Sequence, residues 1–365
     1  MKIAILSMQK INNMGSLLQA YALKRTIGNM GHDVYFIDIK KNETDNSLLN
    51  GYKLYYKQEE ENPSKIKKFF QHPVKRYKIK KKLPIQNNLF ETFRREKLEI
   101  EKKSENYDVC VIGSDEVFNC LNAGWWGFTS QLFGNVSEAE KVITYAASCG
   151  ATCFENIPTA VKEKIRLSFK FVSAFSVRDE NTYNFCKSLN VSDVSKNLDP
   201  VLIYNFDEEI SNIELKKDFS NCCIIYSYKN RINNSDEIRK IIRFCNKNKL
   251  IPIAIGAPQF WCKEYITCSP LECLKIFKMS KFVITDTFHG TIFAVKYAPN
   301  FVVLTRDSNS NKLNDLIDRL KINEHLIKDF SEINDVYLRQ ISNEETKEII
   351  RKEINNANTY LLKNL

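Results

Sequence analysis

The segment Ile284–Thr291 combines residue types suited to acid–base chemistry and to anion binding. Its apolar start ends at Asp286, and His289 and Gly290 then open a stretch with helical spacing. Side chains that follow a parallel strand face the cleft of an α/β domain, and the first N–H groups of a helix bind anions such as phosphate. Because histidine titrates near neutrality, we predict catalytic roles for His289 and Asp286. Gly290 and Thr291 are predicted to contact a bound anion, and a histidine that only caps a turn is the structural alternative.

A second predicted strand end also carries polar residues. Ser114 and Asp115 follow the apolar run Tyr107–Gly113, where they could form a backbone nest for an anion or place Asp115 on a substrate hydroxyl. We predict a catalytic role for Asp115 and a substrate contact for Ser114. The structural alternative is an Asx turn with a helix N-cap.

Arg178 follows the predicted strand Phe171–Val177 and could hold a carboxylate or phosphate through two parallel hydrogen bonds. A salt bridge to the neighbouring Asp179 or Glu180 is the structural alternative. In the first loop of the chain, Gly15 and Ser16 are also predicted to contact substrate.

Several common cofactor and metal motifs are absent from the sequence. The first loop has a single glycine, so the Gly-x-Gly-x-x-Gly pattern of nicotinamide and flavin enzymes is missing, as is the P-loop pattern. Cys262, Cys268 and Cys273 lack metal-ligand spacing, and His-Glu-x-x-His does not occur. We therefore expect neither a bound metal nor a cofactor. Covalent catalysis by Cys149 or Cys153 remains an alternative.

The elements that must position these residues alternate between strand and helix. Strand Lys2–Met8, helix Leu17–Met30 and strand Val34–Ile39 form a βαβ start, which is typical of a parallel sheet. The alternation restarts after a polar linker predicted at Asn205–Asn221. This pattern predicts an N-terminal α/β domain over 1–204, a second over 205–342, and a cleft between them. A final helix is predicted over 343–365, with packing against the first domain as one option.

Composition and charge narrow the class of protein. The chain has 365 residues, 43% of them hydrophobic, and no apolar run of spanning length. Its eleven cysteines include no Cys-x-x-Cys pair, and its start lacks a signal-peptide pattern, so we expect free thiols in the cytoplasm. The net charge is +10, and between Tyr52 and Lys103 sixteen Lys/Arg face only seven Asp/Glu. Because the remainder is nearly neutral, we expect no nucleic-acid partner.

The basic segment is predicted to be an insertion at about 40–105 in the first domain. Helices are expected at Ser64–Gln71 and Gln86–Ile100, separated by the helix-disrupting Pro73 and Pro84. Its apolar residues are interleaved with lysines. This pattern has two interpretations: peripheral contact with an anionic membrane, or an apolar face packed on the first domain with solvated lysines.

Taken in order, these motifs resemble the polysaccharide pyruvyl transferase family. The resemblance is carried by the segments Asn13–Leu23, Asp108–Asn119, Tyr145–Gly150, Ser176–Glu180, Asp199–Val201 and Ile284–Gly290. It implies two Rossmann-like domains arranged as in GT-B glycosyltransferases. It also implies pyruvyl transfer from phosphoenolpyruvate, the donor substrate, onto a sugar, with a cyclic ketal and phosphate as products. We expect the acceptor to be a sugar or a lipid-linked glycan, and a lipid-linked acceptor would place the protein at the inner face of the membrane. His289 matches the histidine of the family motif and Arg178 its arginine.

The sequence departs from the family pattern at two places. Some members carry an arginine two residues before the motif histidine, where this chain has Thr287. A second donor-binding cation must then come from elsewhere, and Lys312 and Arg306 are the candidates. Members often have glutamine where this chain has Glu116. A glycosyltransferase using a nucleotide sugar and a non-catalytic glycan-binding relative stay open as alternative functions.

Overall fold

Two parallel six-stranded sheets form the framework of the protein. The computed structural model describes residues 1–40, 73–121, 127–229, 231–306, 310–339 and 341–365. The first sheet contains β1 (Lys2–Leu6), β2 (Asp33–Phe36), β3 (Tyr107–Ile112), β4 (Ala139–Thr144), β5 (Val172–Val177) and β6 (Val194–Lys196), in the order β2-β1-β3-β4-β5-β6. The second contains β7 (Cys222–Tyr226), β8 (Ile251–Ala254), β9 (Glu264–Tyr265), β10 (Phe282–Thr285), β11 (Phe301–Leu304) and β12 (Leu326–Ile327), in the order β12-β11-β10-β7-β8-β9. The predicted α/β class with two parallel sheets is confirmed.

Helices cover the sheets and connect their strands. They are α1 (Met14–Asn29), α2 (Pro73–Phe93), α3 (Thr159–Phe169), α4 (Glu180–Ser188), α5 (Pro200–Ile203), α6 (Asp207–Ser211), α7 (Ser235–Lys247), α8 (Pro270–Met279), α9 (Phe288–Tyr297), α10 (Ser310–Leu320), α11 (Ile333–Leu338) and α12 (Glu344–Asn364). None of the helices within the described ranges is long and apolar enough to cross a membrane.

The strands are apolar because both faces of each sheet are covered. Every residue of β7, β10 and β11 is buried, as expected for parallel strands with helices on both sides. β1–β6 lie within residues 1–204 and β7–β12 within 205–342. The division into domains at these positions stays a prediction.

One apolar core joins the two sheets. It includes residues of α1, α5, α8, α9 and α12. Tyr21 of α1 packs on Phe206 with ring centroids 6.1 Å apart, and its hydroxyl donates to Glu209 at 3.0 Å. The Tyr360 hydroxyl of α12 donates to the Thr144 carbonyl at the end of β4. The final helix therefore contacts the first sheet.

The segment predicted as a linker, Asn205–Asn221, lies between the strands of the two sheets and contains a short helix. α6 lies within it, and Phe206, Ile210 and Phe219 are buried. These three apolar side chains join the shared core, although the segment is polar on average. Average polarity thus concealed a short amphipathic helix.

The insertion also differs from the prediction. α2 runs from Pro73 through Pro84 without ending, and a single π-helical turn at Arg94–Leu98 follows it. Pro84 removes the hydrogen bond to the Lys80 carbonyl, but both residues lie on the exposed face, where water can satisfy that carbonyl. The predicted helix Ser64–Gln71 lies outside the described residues.

Candidate active site

A cavity of about 210 Å³ lies where the carboxyl ends of the two sheets meet. Residues after β1, β3 and β5 line one side, and residues after β7 and β10 line the other. This arrangement confirms the expected cleft. The lining residues are Met8, Ile11, Asn13, Ser16, Asp115, Glu116, Asn119, Arg178, Tyr228, Phe288, His289 and Lys312.

Arg178 is a buried cation in this cavity. Its side chain is 3% exposed, and Nη1 donates to Asp199 Oδ2 at 2.9 Å. The guanidinium carbon lies 4.2 Å from the centroid of the Phe288 ring. Nε has no hydrogen-bond partner among the described residues. Burying an unsatisfied donor is costly, so Arg178 has capacity for an anionic ligand.

Asp199 links Arg178 to His289. The Asp199 Oδ2 atom lies 3.5 Å from His289 Nε2, while Oδ1 accepts from the Val201 backbone at 3.0 Å. Burial works to raise the pKa of this carboxyl, but His289 and Arg178 together hold it at about 2. Asp199 therefore stays ionised, with a hydrogen bond to Arg178 and with His289 Nε2 close by.

Sequence reasoning did not place Asp199 in the site. It lies three residues after β6, at the same edge of the sheet as Arg178. A carboxylate shortly after a strand was therefore available in the sequence to suggest it.

His289 lies in the first turn of α9 and packs directly on Gly15 of α1. Its side chain is 11% exposed. A Cβ atom at position 15 would lie 2.2 Å from the His289 Cγ atom, so only glycine leaves room for the ring. Gly15 was predicted to contact substrate, whereas its clearest role in the structure is to seat His289. Thr287 caps α9 by accepting from the Gly290 N–H at 3.0 Å.

The side chains of Asp115 and Ser16 are hydrogen-bonded to each other beyond the neighbouring strands β1 and β3. Ser16 Oγ donates to Asp115 Oδ2 at 2.7 Å, and Asp115 Oδ1 accepts from the Glu116 N–H at 2.9 Å. Both line the cavity. Ser114 is fully buried and its hydroxyl donates to the Ala146 carbonyl at 2.9 Å, so this hydroxyl is engaged within the fold.

Lys312 and Glu116 form an ion pair across the cavity. Lys312 comes from α10, beside the second sheet, and Glu116 follows β3 in the first. Burial works to raise the pKa of the Glu116 carboxyl, but Lys312 and an Asn119 hydrogen bond hold it at about 2. This pair thus places a second cation in the cavity, which comes from the second half of the chain.

Besides Gly15 and Ser114, three more predicted site residues lie outside the cavity lining. Asp286, for which a catalytic role was predicted, is fully buried, and Arg306 Nε donates to its Oδ2 at 3.2 Å, so this carboxylate forms an ion pair within the second half of the chain. Thr291 Oγ1 donates to the Thr287 carbonyl. A Cβ at Gly290 would lie 2.1 Å from Thr285 Oγ1, which makes this glycine a packing requirement.

The described residues also bear on three other candidates: Arg306 as the second donor-binding cation, Cys149 as a nucleophile, and a metal site. Arg306 is held by Glu237 as well as Asp286, which leaves Lys312 as the candidate second cation at the cavity. Burial raises the pKa of the Cys149 thiol well above its ordinary value, and a protonated thiol is a poor nucleophile. No group of three or more His, Cys, Asp or Glu suited to a metal occurs in the described part of the chain.

These features define the class of the protein: an α/β protein of two parallel sheets, with a histidine, carboxylates and two cations in the cleft between them. Residues 13–308 match the family model of polysaccharide pyruvyl transferase. The chain belongs to that family. No curated protein matches the chain.

Solved structures with a similar backbone have low sequence identity. An α-glucosyltransferase in complex with UDP is 10% identical, with coverage of 100% of this chain and 96% of the other and a TM-score of 0.46. MnaA of S. aureus with UDP is 11% identical, with coverage of 100% and 97% and a TM-score of 0.49. The UDP-GlcNAc 2-epimerase of Methanocaldococcus jannaschii is 11% identical, with coverage of 96% and 99% and a TM-score of 0.49.

Proposed function

We propose that the protein transfers a pyruvyl group from phosphoenolpyruvate to a sugar of a cell-surface polysaccharide or its precursor. The products are a pyruvate ketal and phosphate. One observation carries the proposal: in a chain of this family, a single cavity contains the buried Arg178 with an unsatisfied Nε, the Lys312 cation and His289. Phosphoenolpyruvate is the donor substrate, and the proposal includes no further cofactor.

The two cations suit the two anionic groups of the donor. Arg178 would hold the carboxylate or the phosphate, and Lys312 would hold the other group. Thr287, which stands where some members carry arginine, is committed to capping α9. Lys312 would therefore supply from α10 the charge that an arginine would supply from the start of α9.

The chemistry needs proton transfers in both directions. A protonated His289 would give its proton to the methylene carbon of the donor, while a sugar hydroxyl attacks the adjacent carbon and loses its own proton. The phosphate then leaves with its bonding electron pair, and a second hydroxyl closes the ring as its proton departs. Asp115 would accept the proton of the first hydroxyl, and His289, having given its proton to the methylene carbon, would accept the proton of the second. The ionised Asp199 would stabilise the His289 imidazolium.

The acceptor is proposed to be a sugar or a lipid-linked glycan. A lipid-linked acceptor would place the reaction on the cytoplasmic side, at the inner face of the membrane. Ser16 and Asn13, which line the cavity beside Asp115, offer the hydroxyl and amide groups that bind sugar hydroxyls.

Acceptor-dependent release of phosphate from phosphoenolpyruvate tests the proposal. The wild-type protein should release phosphate only with a suitable glycan, and His289→Ala should lower the rate by about 10²-fold or more. His32→Ala is the matched control, since His32 lies outside the cavity lining, and it should keep the wild-type rate. Transfer from a nucleotide sugar without phosphate release from phosphoenolpyruvate would contradict the proposal.

A further inference from the structure

The helix α2 has an outward surface of lysines and exposed apolar side chains. Between Pro73 and Phe90 it carries six Lys/Arg and no Asp or Glu. Tyr77 is 60% exposed, Ile85 53% and Leu83 37%. Lys78, Lys80 and Lys81 are exposed among them. We call these six residues the α2 outer face.

The opposite side of α2 is bound to the second half of the chain. Lys75 Nζ donates to the Cys262 carbonyl at 3.1 Å, and Lys82 Nζ donates to the Tyr265 carbonyl at 2.7 Å. Gln86 exchanges two hydrogen bonds with the backbone of Cys268. These hydrogen bonds account for the inner side of the helix. On the outer face, the Lys81 ammonium lies 4.7 Å from the centre of the Tyr77 ring, and Tyr77, Leu83 and Ile85 stay exposed to solvent.

The end of α2 also reaches the rim of the cavity. Arg94, in the π-helical turn after α2, donates to the Gln9 carbonyl at 2.8 Å and to Asn12 Oδ1 at 2.6 Å. These bonds hold the loop between β1 and α1, and Ile11 and Asn13 of this loop line the cavity. The helix thus connects its outer face to one wall of the cleft.

We propose that the α2 outer face docks on an anionic lipid surface and holds the rim of the cavity close to that surface. Lysine ammonium groups are attracted to anionic headgroups, while Tyr77, Leu83 and Ile85 can enter the boundary between headgroups and acyl chains. The exposed aliphatic side chains of Leu83 and Ile85 favour lipid over single-stranded nucleic acid, which binds through charge and through stacking on aromatic rings. Docking would bring the cavity close to a lipid-linked acceptor, and this benefit rests on the proposed function.

Sedimentation with vesicles tests this surface. The full-length protein is mixed with phosphatidylcholine vesicles, with or without phosphatidylglycerol, at low and at raised salt. We expect binding only to the anionic vesicles and weaker binding as salt rises. The triple variant Lys78→Glu, Lys80→Glu, Lys81→Glu should bind at least about tenfold more weakly.

The control variant carries the same charge change elsewhere. Lys347→Glu, Lys352→Glu, Lys363→Glu alters exposed lysines of α12 and should keep wild-type binding. A second variant, Tyr77→Ser with Ile85→Ser, keeps every charge and should lose the binding that persists at raised salt. Circular dichroism confirms that each variant is folded.

Three results would overturn the inference: wild-type protein that stays in the supernatant at low salt, equal losses in the two lysine variants, or tighter binding to single-stranded RNA than to anionic vesicles. Phosphate release with a soluble acceptor should be unchanged in the α2 variants. A protein that binds vesicles but does not release phosphate would refute the proposed function and leave the docking surface standing.

Discussion

At the level of single residues, the buried carboxylate of Asp199 organises the site. It accepts from Arg178 at 2.9 Å and lies 3.5 Å from His289 Nε2. Since proton transfer and anion binding both depend on orientation, a carboxylate that lies beside both side chains connects the two functions. Arg178 Nη1 bonds Asp199, not the adjacent Asp179 or Glu180 that sequence reasoning had offered as its ion-pair partners.

The low pKa of Asp199 makes the protein sensitive to acid. The pKa is about 2 in the folded chain, below its unfolded value of about 3.9, so its contribution is present above pH ~4 and is lost as the pH falls toward 2. We expect Asp199→Asn to lower the free energy of unfolding by roughly 2 kcal/mol at pH 7, with a smaller difference at pH 3. Urea unfolding at both pH values measures this. An equal loss at both would show that the ionised carboxylate is not the source.

Arg178→Lys tests the planar fork of the guanidinium. Lysine keeps the charge but cannot form two parallel hydrogen bonds, so we expect about tenfold weaker binding of phosphoenolpyruvate. Calorimetric titration measures the affinity. Arg166→Lys, at a partly exposed ion pair outside the cavity lining, is the control and should bind as the wild type does. Unchanged affinity in Arg178→Lys would return Arg178 to a purely structural role.

At the level of elements, strand ends determine most of the site. Arg178, Asp115 and His289 follow β5, β3 and β10, and this rule predicted all three from the sequence. The same rule also selected Ser114, Asp286 and Thr291, whose side chains bond to other parts of the protein. Which way a side chain turns after a strand depends on neighbouring loops that one sequence does not reveal.

The close contact between α1 and α9 provides a matched pair of variants. Gly15→Ala would place a Cβ atom 2.2 Å from His289 Cγ, while a Cβ at Gly28 in the same helix meets nothing within 4 Å. We expect Gly15→Ala to displace His289 and lower kcat by at least about tenfold. Gly28→Ala should keep full activity and gain about 0.5–1 kcal/mol of stability.

Steady-state kinetics and thermal unfolding separate these outcomes. Wild-type kcat in a folded Gly15→Ala protein would show that the seat of His289 tolerates displacement. Loss of activity in Gly28→Ala would indicate that alanine disturbs α1 wherever it is placed.

At the level of the whole molecule, contacts between residues distant in sequence determine features that local sequence patterns did not predict. Periodicity predicted two parallel sheets, because buried strands and amphipathic helices have clear local patterns. Periodicity did not predict the extent of α2. The sequence pattern divided this helix at Pro84, whereas Gln86 and Lys82 bond it to the second half of the chain. It also failed at α6, where Phe206 and Ile210 enter a core shared by both halves.

The ion pair between Glu116 and Lys312 joins the two halves across the cavity. Glu116→Gln removes the charge that competes with an anionic donor for Lys312 while keeping a hydrogen-bond acceptor. We expect about fivefold tighter binding of phosphoenolpyruvate, equivalent to about 1 kcal/mol. Glu264→Gln, which alters an ion pair with Lys82 and Lys217 outside the cavity lining, is the control. Weaker binding in Glu116→Gln would show that Glu116 positions Lys312 for the donor.

Mass spectrometry of candidate glycans after reaction in deuterated water tests the central claim most directly. If His289 protonates the methylene carbon of phosphoenolpyruvate, the glycan should gain a pyruvate ketal whose methyl group carries a single deuterium from solvent. His289→Ala should give little of this product, and one phosphate should be released for each ketal formed. Glycans that gain a sugar from a nucleotide donor instead, or a ketal without deuterium, would contradict the account.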